Sequence, residues 1–218
     1  MLGLLYSGGM DSYIAWHYLK KPKTVYFNLY HRYVSKEWRA ASSTIPDTTV
    51  VNNFDLGVYE KEDANITGRN FILTYGMMLL GFNDICLVVQ KDEMSIPDRS
   101  KKFFKRTKNM LSFLSGKSIR VFTPFEHIDK FDIVKWYVGT GGDVKELLKT
   151  TGCFSESIGH CGNCPACFRR WTSLVYNGID PGYVLSEEIM DKYVKKFKAG
   201  EYSKERTKKS LQALGLKL

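Results

Sequence analysis

The chain has 218 residues, 44% of them hydrophobic, and a formal net charge of +9. That length fits one large domain, or one domain with a small appended module, and the apolar share is enough for a sizeable core. No apolar run approaches the roughly 20 residues of a membrane helix. The first apolar run has no basic lead and stops at a glycine turn, unlike a secretory signal, so a cytoplasmic chain with no membrane partner is expected.

In chain order, the first stretch is an apolar run, Leu2–Tyr6, that reads as a buried strand. It leads into Ser7-Gly8-Gly9-Met10-Asp11-Ser12 and then a helix, Tyr13–Leu19, with Ile14, Ala15, Tyr18 and Leu19 facing inward. A strand, a tight glycine turn and a helix N-terminus form an anion site. The first helical N–H groups lack partners, and the helix dipole favours negative charge there. Gly8 and Gly9 let phosphate oxygens approach the main chain, and Ser7 and Ser12 add hydroxyl donors. Against this stands an ordinary Gly-Gly turn with serine and aspartate as caps. The Walker loop is excluded because this turn has no Gly-Lys-Ser/Thr ending. Gly116-Lys117-Ser118 has that ending, but Leu111 stands where the motif needs its first glycine. The dinucleotide spacing G-x-G-x-x-G is absent as well. The loop resembles that of the ATP pyrophosphatases, which cleave ATP between its α and β phosphates. That resemblance implies Asp11 beside Mg²⁺.

Thr24–Leu29 is a second buried strand. Strand, helix, strand in so short a span signals a βαβ unit and a parallel sheet, with ligands at the carboxyl ends of strands, where Ser7 and Asn28 fall. A helix is expected from the Tyr30–Glu37 region to Ala41, then a third strand at Thr48–Val51 and a polar loop over 53–65. The next helix follows Gly68-Arg69-Asn70, with Phe71, Leu73, Met77, Leu79 and Leu80 inward. Ile85–Val89 is the fourth strand, and Lys91–Arg99 a polar loop. Lys101–Leu114 is a basic amphipathic helix with Phe103, Phe104, Met110, Leu111 and Leu114 inward. Ser118–Phe122 is the fifth strand. Asp129 caps the helix bearing Ile133, Val134, Trp136 and Tyr137, and Asp143 with Glu146 starts another. The expected fold is α/β: a doubly wound, mainly parallel five-stranded sheet, with residues 1–140 binding ATP and 141–218 forming a helical zinc-binding segment.

Four of the five cysteines lie in Cys153-x7-Cys161-x2-Cys164-x2-Cys167. Thiolates at C-x-x-C spacing suit tetrahedral Zn²⁺, and Pro165 would start a helix whose N-terminus favours the negative cluster. Arg169 and Arg170 are placed to offset that charge. An iron–sulfur cluster, a redox dithiol or two disulfides remain alternatives. His160 is not expected to ligate, since four cysteines fill the sphere.

The pyrophosphatase loop and the cysteine block, together with Arg32 and Glu37, Gly68-Arg69-Asn70, Asp92 with Pro97-Asp98-Arg99 and Phe103, and Thr123-Pro124 with Lys130, resemble the 7-cyano-7-deazaguanine (preQ0) synthase family from about Leu4 to Gly178. The chain departs from the family's pattern at Leu29-Tyr30-His31-Arg32-Tyr33, and Pro97-Asp98-Arg99 is one residue short. The resemblance implies an adenine nucleotide alpha hydrolase-like fold. It also implies ATP-dependent conversion of 7-carboxy-7-deazaguanine and ammonia to the nitrile through an acyl adenylate and an amide. Its cofactors would be ATP, Mg²⁺ and Zn²⁺. Ser7, Gly8, Gly9, Met10, Asp11, Ser12, Phe27 and Asn28 would meet ATP. Gly68, Arg69, Asn70, Asp98 and Arg99 would meet the deazaguanine, and Asp11, Ser12, Lys130 and Arg69 would carry the chemistry. A homodimer without a stable nucleic-acid partner is expected. Alternatives are a variant stopping at 7-amido-7-deazaguanine, an enzyme adenylating a tRNA base, which the basic stretch from Lys192 keeps open, and a non-catalytic binding protein.

Overall fold

The computed structural model of the protein describes residues 1–216 apart from 53, 63, 157 and 158. Two positions of the expected 53–65 loop and the last lysine of the basic tail therefore lie outside the described residues.

Five parallel strands form one sheet: β1 (Leu2–Leu5), β2 (Lys23–Phe27), β3 (Thr49–Val51), β4 (Asp84–Cys86) and β5 (Arg120–Phe122), in the order β3-β2-β1-β4-β5. Between them run α1 (Met10–Tyr18), α2 (Val34–Thr44), α3 (Arg69–Leu79) and α4 (Lys101–Ser115). After β5 come α5 (Lys130–Gly139), α6 (Val144–Lys149), α7 (Pro165–Tyr176), α8 (Glu187–Lys198) and α9 (Lys204–Ala213). One-turn 3₁₀ segments at Lys91–Glu93 and Pro97–Arg99 break the polar loop after β4.

Side chains alternate across each strand, which builds two cores. Leu4, Tyr26 and Cys86 face α1, α5 and α6, burying Ile14, Val134 and Leu147. Leu5, Val25, Ile85 and Val121 face α3 and α4, burying Met77, Phe104 and Leu111. Gly3 is required on that second face, since a Cβ there would come within 2.5 Å of Met77 and Phe82. The chain changes direction between β3 and β4, so β1 and β4 are neighbours whose connections leave toward opposite edges. The crevice at their carboxyl ends is the switch point where such sheets bind ligands. Leu174 and Ile179 belong to the first core, and Phe168 packs with Leu185, Ile189, Tyr193, Phe197 and Leu211 in a third cluster.

The caps follow the sequence reading. Asp129 accepts from the Asp132 N–H, Asp143 accepts from Lys145 and Glu146, and Pro165 opens α7. Several inward assignments are corrected. Leu79, Leu80, Met110 and Leu114 are exposed, as is Phe113, and Tyr18 is largely at the surface while its ring rests on Phe125 and Trp136. Strands β4 and β5 have three residues each, about 10 Å of sheet, whereas α3 and α4 run for about 16 and 22 Å. The helix ends overshoot the surface they would cover. No helix among the described residues is long and apolar enough to cross a membrane.

Candidate active site

A cleft of about 910 Å³ opens at the carboxyl ends of β1, β2 and β4. Its floor is the turn from β1 into α1. Gly8 has φ +69°, and a Cβ on it would stand 2.7 Å from the Glu37 carbonyl oxygen and 2.8 Å from the Ala41 nitrogen, so glycine is required where α2 crosses. Gly9 stands at the N-cap of α1, and no side chain among the described residues caps the helix. Its first N–H groups thus remain donors for an anion. The Ser12 hydroxyl donates to the Gly9 carbonyl at 2.9 Å and lies 3.5 Å from the Ser7 hydroxyl. The turn is also fastened from far along the chain: the Thr151 N–H donates to the Gly8 carbonyl at 2.9 Å.

Asp11, in the first turn of α1, is the hub. Its Oδ2 accepts from Lys130 Nζ at 2.7 Å and from Gln90 Nε2 at 3.0 Å. Its Oδ1 is buried and has no hydrogen-bond partner among the described residues. An anionic oxygen left so is a ligand position for a hard cation beside phosphates, so the residues present fit Mg²⁺.

The blocks that are far apart in sequence meet here. Asn70 Nδ2 donates to the Asp98 carbonyl at 3.1 Å, joining the start of α3 to the Pro97–Arg99 turn. Gly68, at φ +78°, sets the entry to α3, and Arg69 on its first turn stands beside Tyr33, its charge opposing the burial that pushes the Tyr33 phenol up. Arg99 and Arg169 both reach Glu93 Oε1, at 2.6 and 3.2 Å. Burial pushes the Glu93 carboxyl up, but Arg99, Arg169 and Lys130 outweigh it and hold the group below its ordinary value. His31, buried, pairs with Glu37 at 3.0 Å and packs against the Tyr33 ring, tilted at 33°.

Ser7, Gly9, Met10, Asp11, Ser12, Phe27, Gly68, Arg69, Asn70, Asp98, Arg99 and Lys130 all line the cleft. Gly8 and Asn28 are not among its lining residues. Gly8 is turned to α2, and Asn28 is turned to β3, its amide bonded to Asn52. Arg32 and Glu37 separate, Arg32 going to Glu60 and Glu37 to His31. Sequence reasoning missed Gln90, Glu93 and Thr151. A buried glutamine just past an apolar strand was the available signal for the first. It also missed Tyr193, Tyr202 and Arg206, which reach the cleft from α8, α9 and the turn between them and carry no local signal.

The four cysteine sulfurs lie within 4.8 Å of one another. A tetrahedron of Zn–S bonds has edges of about 3.8 Å, so the set fits one zinc ion. Main-chain N–H groups of Ser155, Cys161, Asn163 and Cys167 point at three of the sulfurs, and the thiolates would be the ion's whole sphere. His160 stacks on Tyr183 instead of joining the cluster. Arg169 and Arg170 do not neutralise it by contact: Arg169 goes to Glu93, and buried Arg170 donates to the Thr150 hydroxyl and two α6 carbonyls. Lys36 ties the loop to α2 through the Ser155 and Gly159 carbonyls.

Residues 41–178 match the family described as queuosine biosynthesis protein QueC. The chain belongs to that family. The match takes in Gly68–Asn70, Pro97–Arg99, Lys130 and all four cysteines. It begins after the Ser7–Ser12 turn and ends before α8. Two relatives named 7-cyano-7-deazaguanine synthase are similar to the chain, one from Methanobrevibacter smithii, 28% identical over 146 residues, and one from Pyrococcus abyssi, 26% identical over 156 residues. Each alignment covers 63% of this chain and 62% of the relative, so the chain spans less than two thirds of those proteins' length.

Proposed function

We propose that the protein converts 7-carboxy-7-deazaguanine and ammonia to 7-cyano-7-deazaguanine at the expense of ATP. The reading rests on one observation above all. An uncapped helix start at the switch point, with Asp11 held by Lys130, opens into the same cleft as Arg69 and Asn70. The family membership and the names of the two relatives support the choice of substrate.

In this reading the triphosphate lies on the N–H groups and hydroxyls of Ser7–Ser12. Phe27, with the backbone near Asn28, borders the adenosine. Asp11 holds Mg²⁺, which offsets phosphate charge when bound. The Arg69 guanidinium receives the substrate carboxylate in a two-point contact, and Asn70 with the Asp98–Arg99 turn borders the flat ring. A carboxylate oxygen then attacks the α phosphorus and pyrophosphate leaves. Lys130 compensates the charge that grows on the phosphates during that displacement. Ammonia adds to the acyl carbon, loses a proton, and AMP departs, leaving the amide. For the nitrile, the amide oxygen is adenylated by a second ATP and leaves with AMP as the nitrogen gives up its protons.

Residues 1–140 then make up the ATP-binding part and 141–218 the zinc-bearing helical part, the zinc serving structure. The working unit is a cytoplasmic homodimer without a stable nucleic-acid partner. The test is incubation with ATP, Mg²⁺, ammonium and the carboxylate, with products read by mass. Nitrile with two AMP per turnover is expected. Amide with one AMP would favour the shorter reaction, and no AMP at all would refute the proposal.

A further inference from the structure

Helices α8 and α9 lie beyond the stretch shared with the family, yet the cleft extends to Tyr193, Tyr202 and Arg206. Arg206 also lines a small cavity of about 20 Å³ together with Gln90 and Lys130, the two side chains that hold Asp11. Asp92, Glu93 and Arg169 line the same cavity, so Arg206 borders the end of the cleft where Gln90 and Lys130 lie.

Its position is enforced from both sides along α9. Glu205 pairs with Lys91 at 2.9 Å, fastening α9 to the turn after β4. Lys209 reaches Asp129 at 2.6 Å and Asp132 at 2.9 Å, fastening it to the start of α5. The guanidinium of Arg206 lies over the Tyr202 ring at 4.1 Å, which holds its plane without using its N–H donors.

The other cations at this end are already matched. Lys130 is on Asp11, Arg99 and Arg169 are on Glu93, and Arg170 is spent on a hydroxyl and carbonyls. Arg206 has one ion-pair contact among the described residues, Asp92 at 4.0 Å, too long for a hydrogen bond. The Asp92 carboxyl is accordingly held above its ordinary value by burial, with Arg206 only opposing that shift. A well-anchored, part-buried guanidinium with open donors facing a cleft is built to receive an anion.

We propose that Arg206 is an anion-binding residue of the nucleotide site, contacting phosphate oxygens of the triphosphate or of the pyrophosphate released from it. This rests on the reading that Ser7–Ser12 holds those phosphates. The shared cavity with Lys130 assigns Arg206 to the phosphates, while Arg69, beside Tyr33, is left for the carboxylate. Helix α9 thus completes, from outside the family's common stretch, a site that the amino-terminal turn begins.

The experiment is calorimetric titration of the zinc-loaded full chain with Mg·ATP, Mg·pyrophosphate and 7-carboxy-7-deazaguanine. The wild type is compared with Arg206→Gln, Arg206→Lys and Arg206→Leu, the last keeping apolar contact with Tyr202 should the glutamine variant fail to fold. The expected result is about tenfold or greater loss of affinity for both phosphate ligands in the Gln and Leu variants, partial retention in Lys, and unchanged binding of the carboxylate. Wild-type affinity for ATP and pyrophosphate in the folded Gln or Leu variant would overturn this inference alone, as would a loss confined to the carboxylate. A wild-type chain that binds neither phosphate ligand would overturn the proposed function and this inference with it.

Discussion

Lys130 Nζ and Asp11 Oδ2 stand 2.7 Å apart, joining the first turn of α5 to the first turn of α1. Both side chains are largely shielded from solvent, so the pair is attractive at short range and weakly screened. The ammonium neutralises one carboxylate oxygen while the other is buried without a hydrogen-bond partner among the described residues. A cation beside phosphates would complete that arrangement.

Asp11→Ala and Ser12→Ala should each reduce substrate-dependent pyrophosphate release by about 10²–10³ while the far-ultraviolet circular dichroism stays native. Lys130→Ala should slow the same step and leave Gln90 as the Asp11 partner among the described residues. Near-normal release from both Asp11→Ala and Ser12→Ala would remove the turn from the chemistry.

Chelation should lower the melting temperature, because the thiolate cluster holds the loop that follows α6. The loss is expected to be on the order of several kcal/mol. The Thr151 N–H bond to Gly8 lies two residues before Cys153, so ATP affinity should fall with the metal. Elemental analysis should find one zinc per chain. An apo protein with unaltered melting and ATP affinity would contradict this.

Gly8→Ala combines a strained backbone, φ +69°, with contacts below 3 Å to the α2 main chain. The strain alone is about 1–3 kcal/mol. Urea denaturation should show at least that loss, and pyrophosphate release should drop because the turn must shift.

The pH dependence of stability has a component assignable to Glu93. Its folded-state carboxyl titrates below the ordinary value near 4.5, so the folded form binds fewer protons than the unfolded form in acid. The contribution is fully present above about pH 4.5 and is lost as pH falls through the lower folded value. Asp92, shifted the other way by burial, opposes this slope. Glu93→Gln should therefore flatten the acid limb of stability against pH relative to wild type, measured by denaturant titration. An unchanged slope would contradict the assignment.

Lys209→Met should cost about 1–3 kcal/mol, since it leaves buried Asp129 without its ammonium. Asn at 129 still caps α5. A double-mutant cycle with Asp129→Asn should therefore report the pair itself, and a coupling near zero would deny it.

Where chemistry and conformation are local, the sequence was legible. The Ser7–Ser12 turn, the caps at Asp129 and Asp143, Pro165 at the start of α7 and the cysteine spacing each declare themselves within a few residues. The parallel sheet followed from apolar runs separated by helical stretches. Leu79, Leu80, Met110 and Leu114 misled because periodicity marks a stripe without marking where the packed surface ends. Arg206 was illegible for another reason: α9 is a polar, basic helix by sequence. Its fastening through Glu205 and Lys209 brings its single arginine to the cleft. Glu93 read as loop polarity because Arg169, far along the chain, is brought to it by tertiary contact.

The bond from Thr151 to Gly8 also orders events during synthesis. A ribosome can release the first strand, the turn and the first helix early, yet the Gly8 carbonyl waits for a partner made long afterward. Emerging chains would carry an unfinished turn until the cysteine segment arrives, so the nucleotide capture proposed for that turn would have to wait for residues made after the opening third.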